Sequence, residues 1–181
     1  MELLEHDLGQ VLDNRGEGFN SEEIYKIISQ LNNTFRIFEK YKIFHGDITL
    51  KNILLKYEDN QNQNFIVKLA GYYKDYIREM PPINHFYTRA PEVIEGEYKY
   101  HEKSDLWSIG IIIYKLYFRE YPYRGPTQVS LLNDIIIYGR RKIKRTNEEK
   151  LDDLISKLLV YDPKKRITWE EYFNHPFFIS I

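Results

Sequence analysis

The octet His45-Gly46-Asp47-Ile48-Thr49-Leu50-Lys51-Asn52 gathers the side chains best able to do chemistry. Asp47 has the carboxylate of a general base, and His45 two residues earlier is a titratable acid/base group. Asn52, five residues after Asp47, offers an amide oxygen to a cation, although an amide neutralises less charge than a carboxylate. Each also has a bland reading: Asp47 as a loop former bonded to nearby amides, His45 as a core ring. The five histidines, at 6, 45, 85, 101 and 175, lack metal-ligand spacing, so no metal site is expected. The absence of cysteine excludes disulfides, thiolate metal sites and cysteine nucleophiles. Gly16-Glu17-Gly18 is the only Gly-x-Gly, its third glycine position is Ser21, and no strand precedes it, so it reads as a plain loop.

Lys plus Arg total 26 against 27 Asp plus Glu, a net charge of −1 that gives no global reason to seek a polyanion. The basic cluster Arg140 to Arg145 is followed by Glu148, Glu149, Asp152 and Asp153, which blunt its field, so a solvated loop is expected and no nucleic-acid partner. The N-terminus reads Met1-Glu2-Leu3-Leu4-Glu5-His6-Asp7, with acids where a signal peptide would be basic and apolar. The apolar run Ile109 to Phe118 is interrupted by Lys115 and is far shorter than the roughly 20 residues that span a bilayer. No membrane association is expected, and the cytoplasm is the expected setting.

The elements that position the octet follow from periodicity. Asn20-Ser21-Glu22-Glu23 is a helix start with a capping box, and Ile24, Ile27, Ile28, Leu31, Phe35 and Phe38 form a helical stripe ending near Tyr41. Ile53-Leu54-Leu55 and Phe65-Ile66-Val67, separated by a polar loop, read as a small hairpin. Asp105 to Phe118 is apolar all round and predicts a buried central helix. Val129 to Tyr138 and Leu151 to Val160 predict amphipathic helices, and Thr168 caps a last short one. With 43% apolar residues, the 181-residue chain is expected to be one domain spanning residues 1–181, mainly α with a small β-hairpin.

Further motifs follow in order: Ala90-Pro91-Glu92, Ser104-Asp105-Leu106-Trp107-Ser108-Ile109-Gly110, Asp162-Pro163-Lys164-Lys165-Arg166-Ile167-Thr168 and His175-Pro176-Phe177-Phe178. With the octet, which is similar to a kinase catalytic loop, they resemble the C-terminal lobe of the eukaryotic protein kinase family, serine/threonine type. The resemblance implies a kinase-like C-lobe that begins at the hinge, Met1 to Leu4, with no N-terminal lobe. It implies that Asp105 holds the backbone of the catalytic loop, that Arg166 pairs with Glu92, and that the His45 ring packs under the segment holding Tyr72. Asp47 and Asn52 are the retained catalytic positions.

The departures point away from catalysis. Where the family carries its metal-binding Asp-Phe-Gly, the chain reads Gly71-Tyr72-Tyr73. The arginine before the catalytic aspartate is Gly46, the phosphate-directed lysine is Thr49, and the threonine that approaches it is His85. Phosphoryl transfer is mostly positioning and charge neutralisation, and each lost contact removes roughly 10²–10³ in rate. The expectation is a non-catalytic, pseudokinase-like binding or scaffolding module with no cofactor. The alternative is a divergent serine/threonine kinase, weakly binding ATP and magnesium, whose small lobe comes from elsewhere. With that lobe absent, Leu4, Leu8 and Leu54 are expected to be exposed on the former cleft face and covered by a partner protein or a larger assembly, cytoskeletal or other.

Overall fold

The longest helix is set by a reciprocal cap. The Asn20 side chain accepts from the Glu23 N–H at 2.9 Å, and the Glu23 carboxylate accepts from the Asn20 N–H at 2.9 Å. These bonds satisfy donors that a helix start leaves open. The helix, α2 (Ser21–Tyr41), stops where Lys42 turns left-handed at φ 52°. Ile24, Ile27, Ile28, Leu31 and Phe35 are its buried stripe, as the periodicity predicts. The computed structural model describes residues 6–59, 64–71, 83–96, 103–139 and 143–179.

The predicted hairpin is present as β2 (Ile53–Tyr57) and β3 (Phe65–Leu69), antiparallel with Leu55 opposite Val67. It is one strand short of the sheet: β1 (His6–Asp7) pairs with β2, His6 opposite Leu55, giving the order β1-β2-β3. Two residues are too few for alternation to betray a strand. Asp7 also caps α1 (Leu8–Asn14), accepting from the Gln10 N–H at 2.9 Å. The free edge of β3 is closed by Gln30 of α2, whose carboxamide donates to the Phe65 carbonyl at 3.1 Å and accepts from the Val67 N–H at 2.9 Å. An unpaired strand edge is thereby denied to other chains.

After α3 (Pro91–Ile94), the central helix α4 (Ser104–Phe118) is buried on nearly every side. Gly110 allows α6 (Glu149–Leu158) to approach it closely, since a Cβ there would lie 2.8 Å from side-chain atoms of Leu158 and Leu159. Between them, α5 (Gln128–Tyr138) buries only Leu131 and Ile135. Thr168 caps α7 (Trp169–Phe173), accepting from the Glu171 N–H at 3.2 Å, and α8 (Pro176–Ile179) follows. The Tyr172 hydroxyl, fully buried, donates to Asn32 Oδ1 at 2.9 Å and ties α7 to α2. Among the described residues, no helix is long and apolar enough to cross a membrane.

Candidate functional site

The octet leaves α2 by way of Ile43 and runs beneath the first turn of α4. There Asp105 accepts from the backbone N–H groups of His45 at 2.8 Å and Gly46 at 3.0 Å. Burial pushes the Asp105 carboxyl up, opposed by those two donors. Gly46 takes φ 72°, a left-handed conformation costly to a residue bearing a Cβ. The loop therefore bends at a glycine, held from below by a carboxylate.

His45 is buried and stacks on Phe38 with ring centroids 6.1 Å apart. Its Nδ1 accepts from the Asp47 N–H at 3.3 Å, which leaves the proton on Nε2 to bond the Ala70 carbonyl at 3.0 Å. The ring thus joins the octet to the exit of β3. Tyr72, expected above it, lies outside the described residues.

Asn52 is the junction of the site. Its Nδ2 donates to the Asp47 carbonyl at 2.7 Å and to Asp47 Oδ2 at 2.8 Å. Its carbonyl accepts from the Ala70 N–H at 2.7 Å, and its own N–H is capped by Thr49 Oγ1 at 3.3 Å. Thr49, buried, thus opens the short turn Leu50–Asn52. Gly71 stands next to this amide at φ 83°, and a Cβ there would lie 2.8 Å from both Cγ and Oδ1 of Asn52. The Asn52 carboxamide fills the space that a side chain at position 71 would need.

Behind the site, Arg166 and Glu92 form the predicted pair across 74 residues of sequence, Nη1 to Oε1 at 2.7 Å and Nη2 to Oε2 at 2.9 Å. Their side chains are 0% and 4% exposed. The same guanidinium donates to the carbonyls of Val160 at 3.0 Å and Lys103 at 2.8 Å, and lies over the Trp107 ring. Sequence reasoning missed two helpers. The Ser104 hydroxyl donates to Glu92 Oε1 at 3.1 Å, and Lys103 Nζ donates to the Arg166 carbonyl at 2.6 Å. Ser104 opens the motif beside Asp105 and Lys103 immediately precedes it, the one signal that could have found them.

The expected cleft-face patch needs correction. Leu8 is fully buried, because α1 packs against the Leu50–Asn52 turn and β2 and takes Leu8 into the chain's own core. Leu54 is half-buried on the sheet, opposite Asp7 and Lys68. Leu4, the His85 side chain and Arg140 to Lys142 of the basic cluster lie outside the described residues. In the rest of that cluster, Lys144 pairs with Glu120 at 2.5 Å.

Residues 1–178 match the protein kinase domain family. The chain is similar to serine/threonine-protein kinase ATG1b of Arabidopsis thaliana, 32% identical over 158 residues, 82% of this chain and 21% of that protein. Serine/threonine-protein kinase atg1 of Dictyostelium discoideum is 30% identical over 163 residues, 85% of this chain and 23% of that protein. Cell division control protein 2 homolog 3 of Trypanosoma brucei brucei is 26% identical over 215 residues, 98% of this chain and 67% of that protein. The chain therefore spans less than a quarter of the length of the first two.

Proposed function

The chain belongs to the protein kinase domain family, and from that membership we propose that it is a non-catalytic, pseudokinase-like module that docks to a partner protein. The observation that carries this reading is the Asn52 junction. Asn52 spends its amide N–H groups on Asp47, and its carboxamide abuts Gly71, where the family resemblance calls for a metal-binding carboxylate. Mg²⁺ with a nucleotide needs hard oxygen donors that neutralise triphosphate charge. One carboxylate and one amide, bonded to each other, are a poor set of donors for it, so magnesium nucleotide binds weakly or not at all. Asp47 is then a loop former, and Asp105 and the Arg166–Glu92 pair preserve the scaffold for binding rather than for turnover. An intracellular, cytoplasmic setting accords with a chain that uses no cysteine.

A second reading, a divergent serine/threonine kinase, draws support from the ordered His45–Asp47–Asn52 loop and from the kinases to which the chain is similar. Thermal unfolding of the full-length protein with increasing magnesium ATP separates the two. A bound ligand raises stability in proportion to RT ln(1 + [L]/Kd), so a pseudokinase shows no saturable rise in Tm. A saturable rise, with phosphotransfer lost in Asp47→Ala, would overturn the proposal.

A further inference from the structure

The last helix, α8, is four residues long, and a histidine ring holds its first turn. His175 caps it: Nδ1 accepts from the Phe177 N–H at 3.2 Å, a donor that a helix start leaves open. A ring nitrogen that accepts carries no proton, so the proton of the neutral ring sits on Nε2 and is donated to Asp153 Oδ2 at 2.9 Å. The ring is 2% exposed and bridges α6 to α8. The His175 N–H ties the same turn to the Tyr172 carbonyl of α7 at 3.1 Å, and the Phe177 ring meets Tyr25 of α2 edge-on at 6.2 Å. Three cavities border this turn. One of about 1000 Å³ reaches Pro176 and Asp153, one of about 490 Å³ reaches Phe177 and Leu151, and a third of about 490 Å³ reaches His175 and Pro176. The turn therefore hangs on a few bonds beside open space.

We propose that His175 is a proton-operated latch, which holds α8 against α2 and α6 when its ring is neutral and releases that helix alone when the ring is charged. The bonding decides the direction. A second proton enters at Nδ1, where it points at the Phe177 N–H, donor against donor, so the cap is lost with the change of charge. The same proton places a cation at a helix N-terminus, where the backbone dipoles disfavour it. The charges facing the ring among the described residues do not compensate. On α6, Asp153 attracts the imidazolium, but Lys157 holds that carboxylate at 2.7 Å and repels the ring. Across the cavity that His175 lines stand Lys165 and Glu171, opposite in sign. α8 has no ionisable side chain, and α2 presents Tyr25. Burial outweighs Asp153 and holds the ring below its ordinary 6.5, a value the released ring regains. The latch is therefore closed above pH 6.5 and opens as pH falls toward the lower value of the folded chain. Opening uncovers Phe177, Tyr25 and the Leu151 wall of the neighbouring cavity while the central helix stays packed. The inference does not depend on whether the cleft binds nucleotide.

Amide hydrogen exchange of the full-length protein, read by NMR as protection relative to an unstructured chain, tests the latch. Protection of the Phe177 N–H is expected to fall several-fold between neutral and mildly acidic pH. Low concentrations of urea should leave Phe177 exchange unchanged, because opening α8 alone exposes little surface, yet speed exchange at Ile112 of α4, which requires global unfolding. In His175→Gln, whose carboxamide donates and accepts at every pH, Phe177 protection should be the same at both pH values. Asp153→Asn keeps an acceptor for the Nε2 proton and removes the charge that favours imidazolium, so the loss should move to lower pH. Phe177 protection independent of pH in the parent, urea dependence equal to that of Ile112, an undiminished fall in His175→Gln, or an unmoved transition in Asp153→Asn would each overturn the proposal.

Discussion

Replacing Arg166 by alanine tests the packing logic of this fold most severely. In the folded chain the guanidinium is completely buried, with Glu92 gripped at both carboxylate oxygens and the carbonyls of Lys103 and Val160 as further acceptors. Truncation leaves Glu92 buried with one donor among the described residues, the Ser104 hydroxyl, and takes a donor from each of those carbonyls, of which Lys103's keeps the Trp107 N–H at 3.4 Å. Adding each lost bond would count the same desolvation several times, so the better guide is the cost of breaking a buried ion pair, about 3–5 kcal/mol. Against a domain stability of about 5–15 kcal/mol, that is a large fraction. At roughly 2–4 °C per kcal/mol for a chain of this size, Tm should fall by about 6–20 °C. Scanning calorimetry at neutral pH measures it, with Glu92→Leu/Arg166→Met as the control. Replacing both charges by apolar groups removes the orphan, so the double variant should recover much of the loss. Arg166→Ala melting within about a degree of the parent would refute the reasoning, as would a double variant no more stable than the single one.

Gly71→Ala should lose about 1–3 kcal/mol in urea unfolding, because a left-handed φ and contact with the Asn52 carboxamide both oppose a Cβ; an unchanged midpoint would remove the junction's steric basis. Asn20→Ala should cost about 0.5–2 kcal/mol by removing the α2 cap, visible as a lower urea midpoint. Burial holds His175 below its ordinary value of 6.5, opposed by Asp153 Oδ2 at 2.9 Å from Nε2, while Nδ1 accepts from the Phe177 N–H. The unfolded chain then binds the proton first, so this stability is complete above pH 6.5 and is lost as pH falls toward the lower folded value. Asp153, lowered chiefly by Lys157, adds a loss of the same sign at more acidic pH. Urea midpoints at mildly acidic and neutral pH should diverge in the parent and converge in His175→Gln; parallel behaviour of the two would exclude His175 as the cause.

The sequence by itself determined whatever is local. The Asn20 and Thr168 caps, the apolar stripe of α2 and the all-round apolarity of α4 are patterns within a few residues, and each became the element it predicts. The Arg166–Glu92 pair and the Asp105 support were legible only through motif resemblance, since 74 and 60 residues separate the partners and no periodicity links them. Tertiary structure decided three things that composition could not. Leu8 left the surface because α1 folds onto the Leu50–Asn52 turn. The outward apolar face of α5 emerged because its neighbours cover only Leu131 and Ile135, while the periodicity of the helix gives no indication of which apolar residues find a partner. The Asn52 amide closed on Asp47 beside Gly71 because β3 returns antiparallel to β2 and delivers residues 70 and 71 to residue 52, a proximity made by strand pairing rather than by spacing along the chain.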